Sequence, residues 1–241
     1  MVPRIGMLGR PLPSKWLAVI ANLWGRMANM AWTGTSRRLV QLYIGLVIYG
    51  ISSALLVRSR LGLDPWDVFH QGLAGHLGVE IGTVVIIVGA AVLLLWIPLR
   101  QRPGIGTLSN MVLIGLAMNW ALAWLPHVSA LGWRTADLIV GILLSGVATG
   151  MYIGAHYGPG PRDGLMTGIS RRSGRSLRLV RTCLEVSVLA LGWLLGGTIG
   201  VGTVLYALAI GALSQLFLGI FDVRPAAAAA VVAPTVALAA D

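Results

Sequence analysis

From residue 38 onward the chain alternates long apolar runs with short polar breaks. Six runs stand out, at about 39–57, 81–99, 105–125, 136–155, 177–195 and 201–221. Each approaches the ~20 residues that ~30 Å of hydrocarbon demands at 1.5 Å per residue, and backbone groups left unpaired in lipid are too costly for anything but helix. The fifth run differs from the others because Arg178, Arg181 and Glu185 fall in its first half. Two further stretches sit between runs, "GLDPWDVFHQGLAGHLG" at 62–78 and "GPGPRDGLMTGISRRSG" at 158–174. Each predicts a helix of ~10–12 residues, too short to cross.

The two short stretches lie 96 positions apart and agree at Gly62/Gly158, Pro65/Pro161, Asp67/Asp163, Gly72/Gly168 and Gly78/Gly174. The same offset aligns Gly45 with Gly141, Gly50 with Gly146, and "GIGT" (104–107) with "GVGT" (200–203). Glycine, proline, aspartate and threonine in register carry more weight than shared leucines, because each answers a local backbone need. The pattern predicts two homologous halves, 38–126 and 134–222. Each holds three spans, and an odd number turns the second half upside down. The expected fold is therefore all-α and transmembrane: a six-helix bundle built as a 3+3 inverted repeat, with a short half-helix after the first span of each half. Architectures of this kind place their site near the midplane between halves.

Composition agrees. Of 241 residues, 56% are hydrophobic and 11% charged, with a mean hydropathy of +0.82, whereas a soluble domain devotes about a quarter of its residues to charge. With the N-terminus placed in the cytoplasm, fifteen of the 18 Lys and Arg fall on the cytoplasmic side and only Arg58, Arg60 and Arg134 fall outside. That bias predicts a multi-pass membrane protein with both termini cytoplasmic. The net charge of +10 then follows from topology and attraction to anionic lipid headgroups, with no nucleic acid as partner. The lone Cys183 and the histidines at 70, 76, 127 and 156 lack metal-ligand spacing, so no metal or cofactor is expected. Nor is an enzyme: no nucleophile–base pair occurs, and "GIGT" lacks the Walker lysine.

The short stretches hold the candidate chemistry. Asp64 stands where a helix N-cap belongs, Pro65 at the first helical position and Asp67 at the third; Pro161 and Asp163 follow the same order behind the weaker cap Gly160. Two readings stay open. In one, Asp67 and Asp163 only fix short helices. In the other, both helix starts face a shared pathway lined by Asp67, Asp163, Trp66 and Arg162, with His70 as a pH-sensitive lining residue. Gly62, Pro65, Gly72, Gly158, Pro161 and Gly168 shape the motif itself. Glu185, whose counterpart in the first half is Gly89, joins the pathway or pairs with Arg181 one turn earlier. Trp96, Trp124, Trp133 and Trp193 near span ends suit an aromatic belt.

Together "LGLDPWDVFHQGLAGHLG", the "GIGT" turn and "YGPGPRDGLMTGISRRSGRSLRLVR" resemble the YczE/YyaS/YitT family of bacterial integral membrane proteins, nearest its YczE-like branch, over about residues 38–222. The resemblance implies a multi-span inner-membrane protein and brings no substrate or catalytic residue with it. The functional expectation comes from the residues: passage of an unidentified small solute between the halves. The alternative is a membrane scaffold or regulator whose Arg171, Arg172 and Arg175 meet lipid or a partner. Residues 1–37 form an N-terminal cytoplasmic segment, with an interfacial helix expected over about 14–30. Residues 223–241 form an Ala-rich tail expected to be disordered. Nothing in the pattern sets an oligomeric state.

Overall fold

The computed structural model describes residues 34–223; the interfacial helix expected near 14–30 and the Ala-rich tail lie outside the described residues. Within them the chain is all helix: α1 (Gly34–Ser59), α2 (Pro65–Leu77), α3 (Ile81–Leu99), α4 (Ile105–Trp124), α5 (Leu131–Gly154), α6 (Pro161–Ser173), α7 (Leu177–Leu194) and α8 (Val201–Phe221). Five of these, α1, α3, α4, α5 and α8, are long and apolar enough to cross a membrane. The fifth apolar run is helix too, α7, but its 18 residues include Arg178, Arg181 and Glu185, which set it apart from those five.

Local chemistry explains the boundaries. The Asp64 side chain caps α2 and Pro65 opens it; Gly78 closes it with φ 67°, a left-handed conformation that glycine adopts without a Cβ penalty. Gly174 closes α6 in the same way at φ 65°. Ser176 caps α7 by accepting from the Leu179 N–H. Thr107 and Thr203 each accept a bond at Oγ1 from the backbone N–H three residues earlier, at Gly104 and Gly200, and so fix the starts of α4 and α8.

The 96-residue offset recurs in the backbone. Positive φ occurs at Arg60, Gly62, Gly78 and Arg100, and again at His156, Gly158, Gly174 and Gly196, each 96 positions on. The tertiary contacts pair in the same way, each end of the molecule holding the other. The Gly202 N–H donates to Leu61 O at 2.8 Å, and the Gly106 N–H donates to Tyr157 O at 3.0 Å. Arg38, in the first turns of α1, donates from Nε to Ala155 O and from Nη2 to His156 O, just past the end of α5. Arg134, in the first turn of α5, donates from Nε to Ser59 O and from Nη2 to Arg60 O at the end of α1. Each arginine supplies donors to carbonyls that a helix end leaves orphaned. Helices α1 and α5 therefore run antiparallel.

Glycines set the close approaches between the long helices. A Cβ at Gly45 would meet Met151 Cβ at 2.9 Å on α5, and one at Gly50 would meet Ile114 O at 2.6 Å on α4. Such approaches let membrane helices pack without a large hydrophobic driving force. The short helices cross over: α2 packs on α7, and α6 packs on α3.

One tryptophan departs from the belt expectation. Trp124, Trp133 and Trp193 are exposed, as a belt requires, but Trp96 is 2% exposed and its indole donates to Pro161 O at 3.1 Å. The reason lies on α6: Gly164 has no side chain, and the indole fills that space, 1.9 Å from where a Cβ would be.

Candidate functional site

The two short helices bring their N-terminal ends together. On α2, Asp64 Oδ1 accepts from the N–H groups of Trp66 (3.0 Å) and Asp67 (3.3 Å), while Pro65 needs no partner. This cap fixes Asp64, Trp66 and Asp67 as buried side chains. On α6 the cap position is Gly160, which offers no side-chain bond. Asp163 in its first turn instead accepts at Oδ2 from the Tyr152 hydroxyl at 2.8 Å.

Arg162 spans the two ends. Its Nη1 lies 3.5 Å from Asp64 Oδ1, and its Nη2 donates to the Tyr49 hydroxyl at 3.1 Å. Its guanidinium carbon stands 5.7 Å from the centre of the Trp66 ring and 5.8 Å from that of Tyr49, within reach of cation–π attraction. Around this group opens a cavity of about 220 Å³, bordered by Asp64, Trp66, Asp163, Tyr206, Arg181 and Glu185 among others. A second void of about 30 Å³ adjoins it and shares Tyr49, Trp66, Asn110 and Arg162. That is room for one or two water-sized groups.

Asp67 and His70 face the smaller void. Asp67 Oδ1 lies 3.0 Å from His70 Nδ1 with both side chains about 5% exposed. Burial, and next the Arg162 charge, lower His70 to about 3, so the imidazole is neutral and its Nδ1–H is the donor. Asp64, between α1 and α2, moves the other way: burial and then the Asp67 carboxylate push it up to about 7 against the pull of Arg162. Two buried polar atoms at the helix start, Trp66 Nε1 and Asp67 Oδ2, have no hydrogen-bond partner among the described residues. Polar groups in that condition are rare in folded proteins and call for a water, an ion or another partner.

The residues singled out in the sequence thus divide among several places. Trp66 and Arg162 border both spaces, Asp163 and Glu185 the larger, Asp67 and His70 the smaller. Glu185 accepts at Oε1 from Arg181 Nε at 2.9 Å, one turn away. Pro65 and Pro161 occupy first helical positions. Gly62 and Gly158, with φ 122° and 115°, lie against Thr203 and Thr107 of the opposite "GVGT" and "GIGT" turns. Gly72 admits Leu195 and the Gly192 carbonyl, and Gly168 admits Leu99. Arg171, Arg172 and Arg175 are exposed, and Arg172 donates to Pro98 O. No group of three or more metal-ligand side chains occurs among the described residues.

Sequence reasoning passed over Tyr49, Tyr152, Tyr206 and Asn110, which border the cavity from within long helices. It also took Asp64 only as a cap. Tyr49 and Tyr206 bring their hydroxyls within 3.5 Å of each other. The available signal was a polar-tipped side chain in mid-span, where a phenylalanine or leucine would cost less to bury.

Apolar helices of crossing length around a buried polar centre define a multi-pass integral membrane protein. The chain belongs to the family of unknown function DUF6198, whose model matches residues 36–219, and with it to the YczE/YyaS group. It is 43% identical to an uncharacterized protein of Haemophilus influenzae over 82% of this chain and 91% of that one. Against the uncharacterized membrane protein YczE of Bacillus subtilis the identity is 37%, over 70% of this chain and 80% of that one. Against the uncharacterized protein YyaS of Bacillus subtilis it is 26%, over 74% and 91%. No solved structure matches the chain.

Proposed function

We propose that the protein is a non-enzymatic permeation pathway or transporter for a small solute, built as a 3+3 inverted repeat in the bacterial inner membrane with both termini cytoplasmic. One observation carries the proposal: a single cavity takes its border from the starts of both short helices, Asp64, Pro65 and Trp66 of one and Gly160, Arg162 and Asp163 of the other. A purely structural short helix needs no such space at its end. The antiparallel course of α1 and α5 and the eight positive-φ residues in register support the inversion. Irregular backbone at membrane depth is tolerated where it is buried in protein or lines a cavity, and the ends of α2 and α6 meet that condition. Arg171, Arg172 and Arg175 then lie on the cytoplasmic face beside anionic lipid.

Osmotic swelling of reconstituted vesicles tests the pathway, using small cationic, neutral and anionic osmolytes in turn. Swelling selective for one charge class is expected, reduced in Asp163→Asn and Glu185→Gln and retained when Arg171, Arg172 and Arg175 become Gln. Vesicles that respond to none of the three classes, or variants with the opposite ranking, overturn the proposal in favour of a scaffold acting through the arginines. A reporter placed after Pro126 is expected on the outer face; finding it inside removes the inversion.

A further inference from the structure

We infer that the 220 Å³ cavity binds a small organic cation of the amine or quaternary-ammonium class, and that Arg162 is a resident cation which such a solute displaces. The inference deepens the pathway proposal and rests on the same cavity.

The first ground is charge. Three carboxylates border the space, those of Asp64, Asp163 and Glu185, against two guanidinium groups, Arg162 and Arg181. Asp67 adds a fourth acidic side chain in the adjoining void. The balance is negative even with Asp64 protonated. An anion would have to approach the α6 N-terminus, where Asp163 already occupies the first turn. The second ground is the kind of wall. Trp66, Tyr49, Tyr152 and Tyr206 all border the cavity, and aromatic faces beside carboxylates make a cage for a desolvated cation.

Arg162 shows that the cage accepts a cation, since its guanidinium already lies over the Trp66 and Tyr49 rings. Its hold is loose. The 3.5 Å separation from Asp64 exceeds the ~2.7–2.9 Å of a charge-assisted hydrogen bond, and its side chain is 28% exposed. A tethered cation in an aromatic cage is a competitor that a free cation can replace. The third ground is the orphaned indole N–H of Trp66, a residue only 5% exposed. Among the described residues it has no acceptor, and a hydroxyl or carbonyl on the incoming cation would supply one. At about 220 Å³ the cavity has room for several waters, and so for a solute of choline's size.

Calorimetry on the full chain in lipid nanodiscs tests this with three probes: choline, its uncharged isostere 3,3-dimethylbutan-1-ol, and acetate. Choline is expected to bind at least about ten-fold more tightly than the isostere, with acetate weakest, and Asp163→Asn should weaken choline about ten-fold. Arg162→Ala should gain binding of methylguanidinium that the unmodified chain lacks, seen as heat and as a rise in unfolding temperature; Arg162→Gln repeats the rescue if the alanine variant does not fold. Equal affinity for choline and the isostere, tighter binding of acetate, no binding of choline, or absent rescue in a folded variant each overturns the inference. The two proposals fail separately. Choline binding without swelling in any solute removes the pathway and leaves this site standing, whereas swelling confined to neutral or anionic solutes does the reverse.

Discussion

Helices α2 and α6 are each 13 residues long, open with proline, carry aspartate at the third position and close on a left-handed glycine. Their side chains diverge at several positions where they meet other groups. Asp64 of one corresponds to Gly160 of the other, Trp66 to Arg162, Val68 to Gly164 and His70 to Met166. The packing partners diverge in step. Gly192 of α7 lets the α2 backbone at Val68 and Phe69 come close, and its own counterpart on α3 is Trp96, the residue that fills the space over Gly164. Backbone duties are thus held in common, while size and charge are dealt out in complementary pairs: large with small, carboxylate with guanidinium. Two identical helix starts would set like charges opposite each other, and these two set Arg162 beside Asp64.

The size pair offers the largest test. A Cβ at Gly164 would lie 1.9 Å from the Trp96 ring, so Gly164→Val should destabilise by about 3 kcal/mol or prevent folding. Trp96→Gly alone opens a large cavity and should cost about 3–5 kcal/mol. The double variant places the same residue types as Val68 and Gly192 at the corresponding positions, and should recover part of the summed loss because each change relieves the other. Unfolding in detergent micelles measures all three. Purely additive losses would show that the two contacts are not interchangeable packings of one backbone.

The charge pair comes next. Removing Arg162 leaves Asp64 and Asp67 together without a neighbouring cation. Arg162→Ala should therefore cost about 2 kcal/mol at pH 8, less than the 3–5 typical of a fully buried pair because Arg162 is partly exposed. The loss should shrink at pH 5, where Asp64 is protonated. A cost that does not change with pH would mean that Arg162 acts by packing alone.

The long helices allow a comparison of likes. Arg38 and Arg134 donate to corresponding carbonyls at 2.8–3.1 Å. Alanine at either should cost about 1–2 kcal/mol, and the two losses should agree within a few tenths. A difference much larger than that would show that one end of the α1–α5 pair is held by something else.

Helix positions were legible because they depend on local rules. The proline–aspartate openings and glycine endings mark α2 and α6, and the long apolar runs set the extents of the other helices to within a few residues. The aligned glycines at 62, 78, 158 and 174 all take positive φ, the kind of local backbone need that keeps a glycine in register. Less legible was anything that depends on partners far apart in sequence. Asp64 and Arg162 meet across 98 positions, and Tyr49 meets Tyr206 across 157. Within an apolar run tyrosine reads as filler and a tryptophan near a span end reads as belt, a pattern from which Trp96 departs. Gly211 shows the same limit: in sequence it sits unmarked inside an apolar run, yet a Cβ there would meet nothing and the residue borders the cavity. Periodicity reports which face is apolar and says little about an enclosed space.

The smallest expected effect lies in the titration of the α2 cap. Burial and Asp67 raise Asp64 to about 7, so this carboxyl is neutral at pH 6 and charged at pH 8. Folding strengthens its hold on the proton, so its contribution to stability is greatest below about pH 4 and falls as pH climbs to about 7. Cation affinity should follow the opposite course, since the ionised form attracts an ammonium group, and choline binding should tighten a few-fold between pH 6 and 8. The counterpart on α6 is a glycine and cannot titrate. Asp64→Asn keeps a capping oxygen but removes the charge, and should flatten the profile while leaving α2 folded. Replacing Gly160 with Asn leaves Asp64 in place and should not alter the midpoint near 7. If choline affinity in Asp64→Asn still rises through neutral pH, the proton belongs to another group in the cavity, and the asymmetry between the two caps has no part in cation binding.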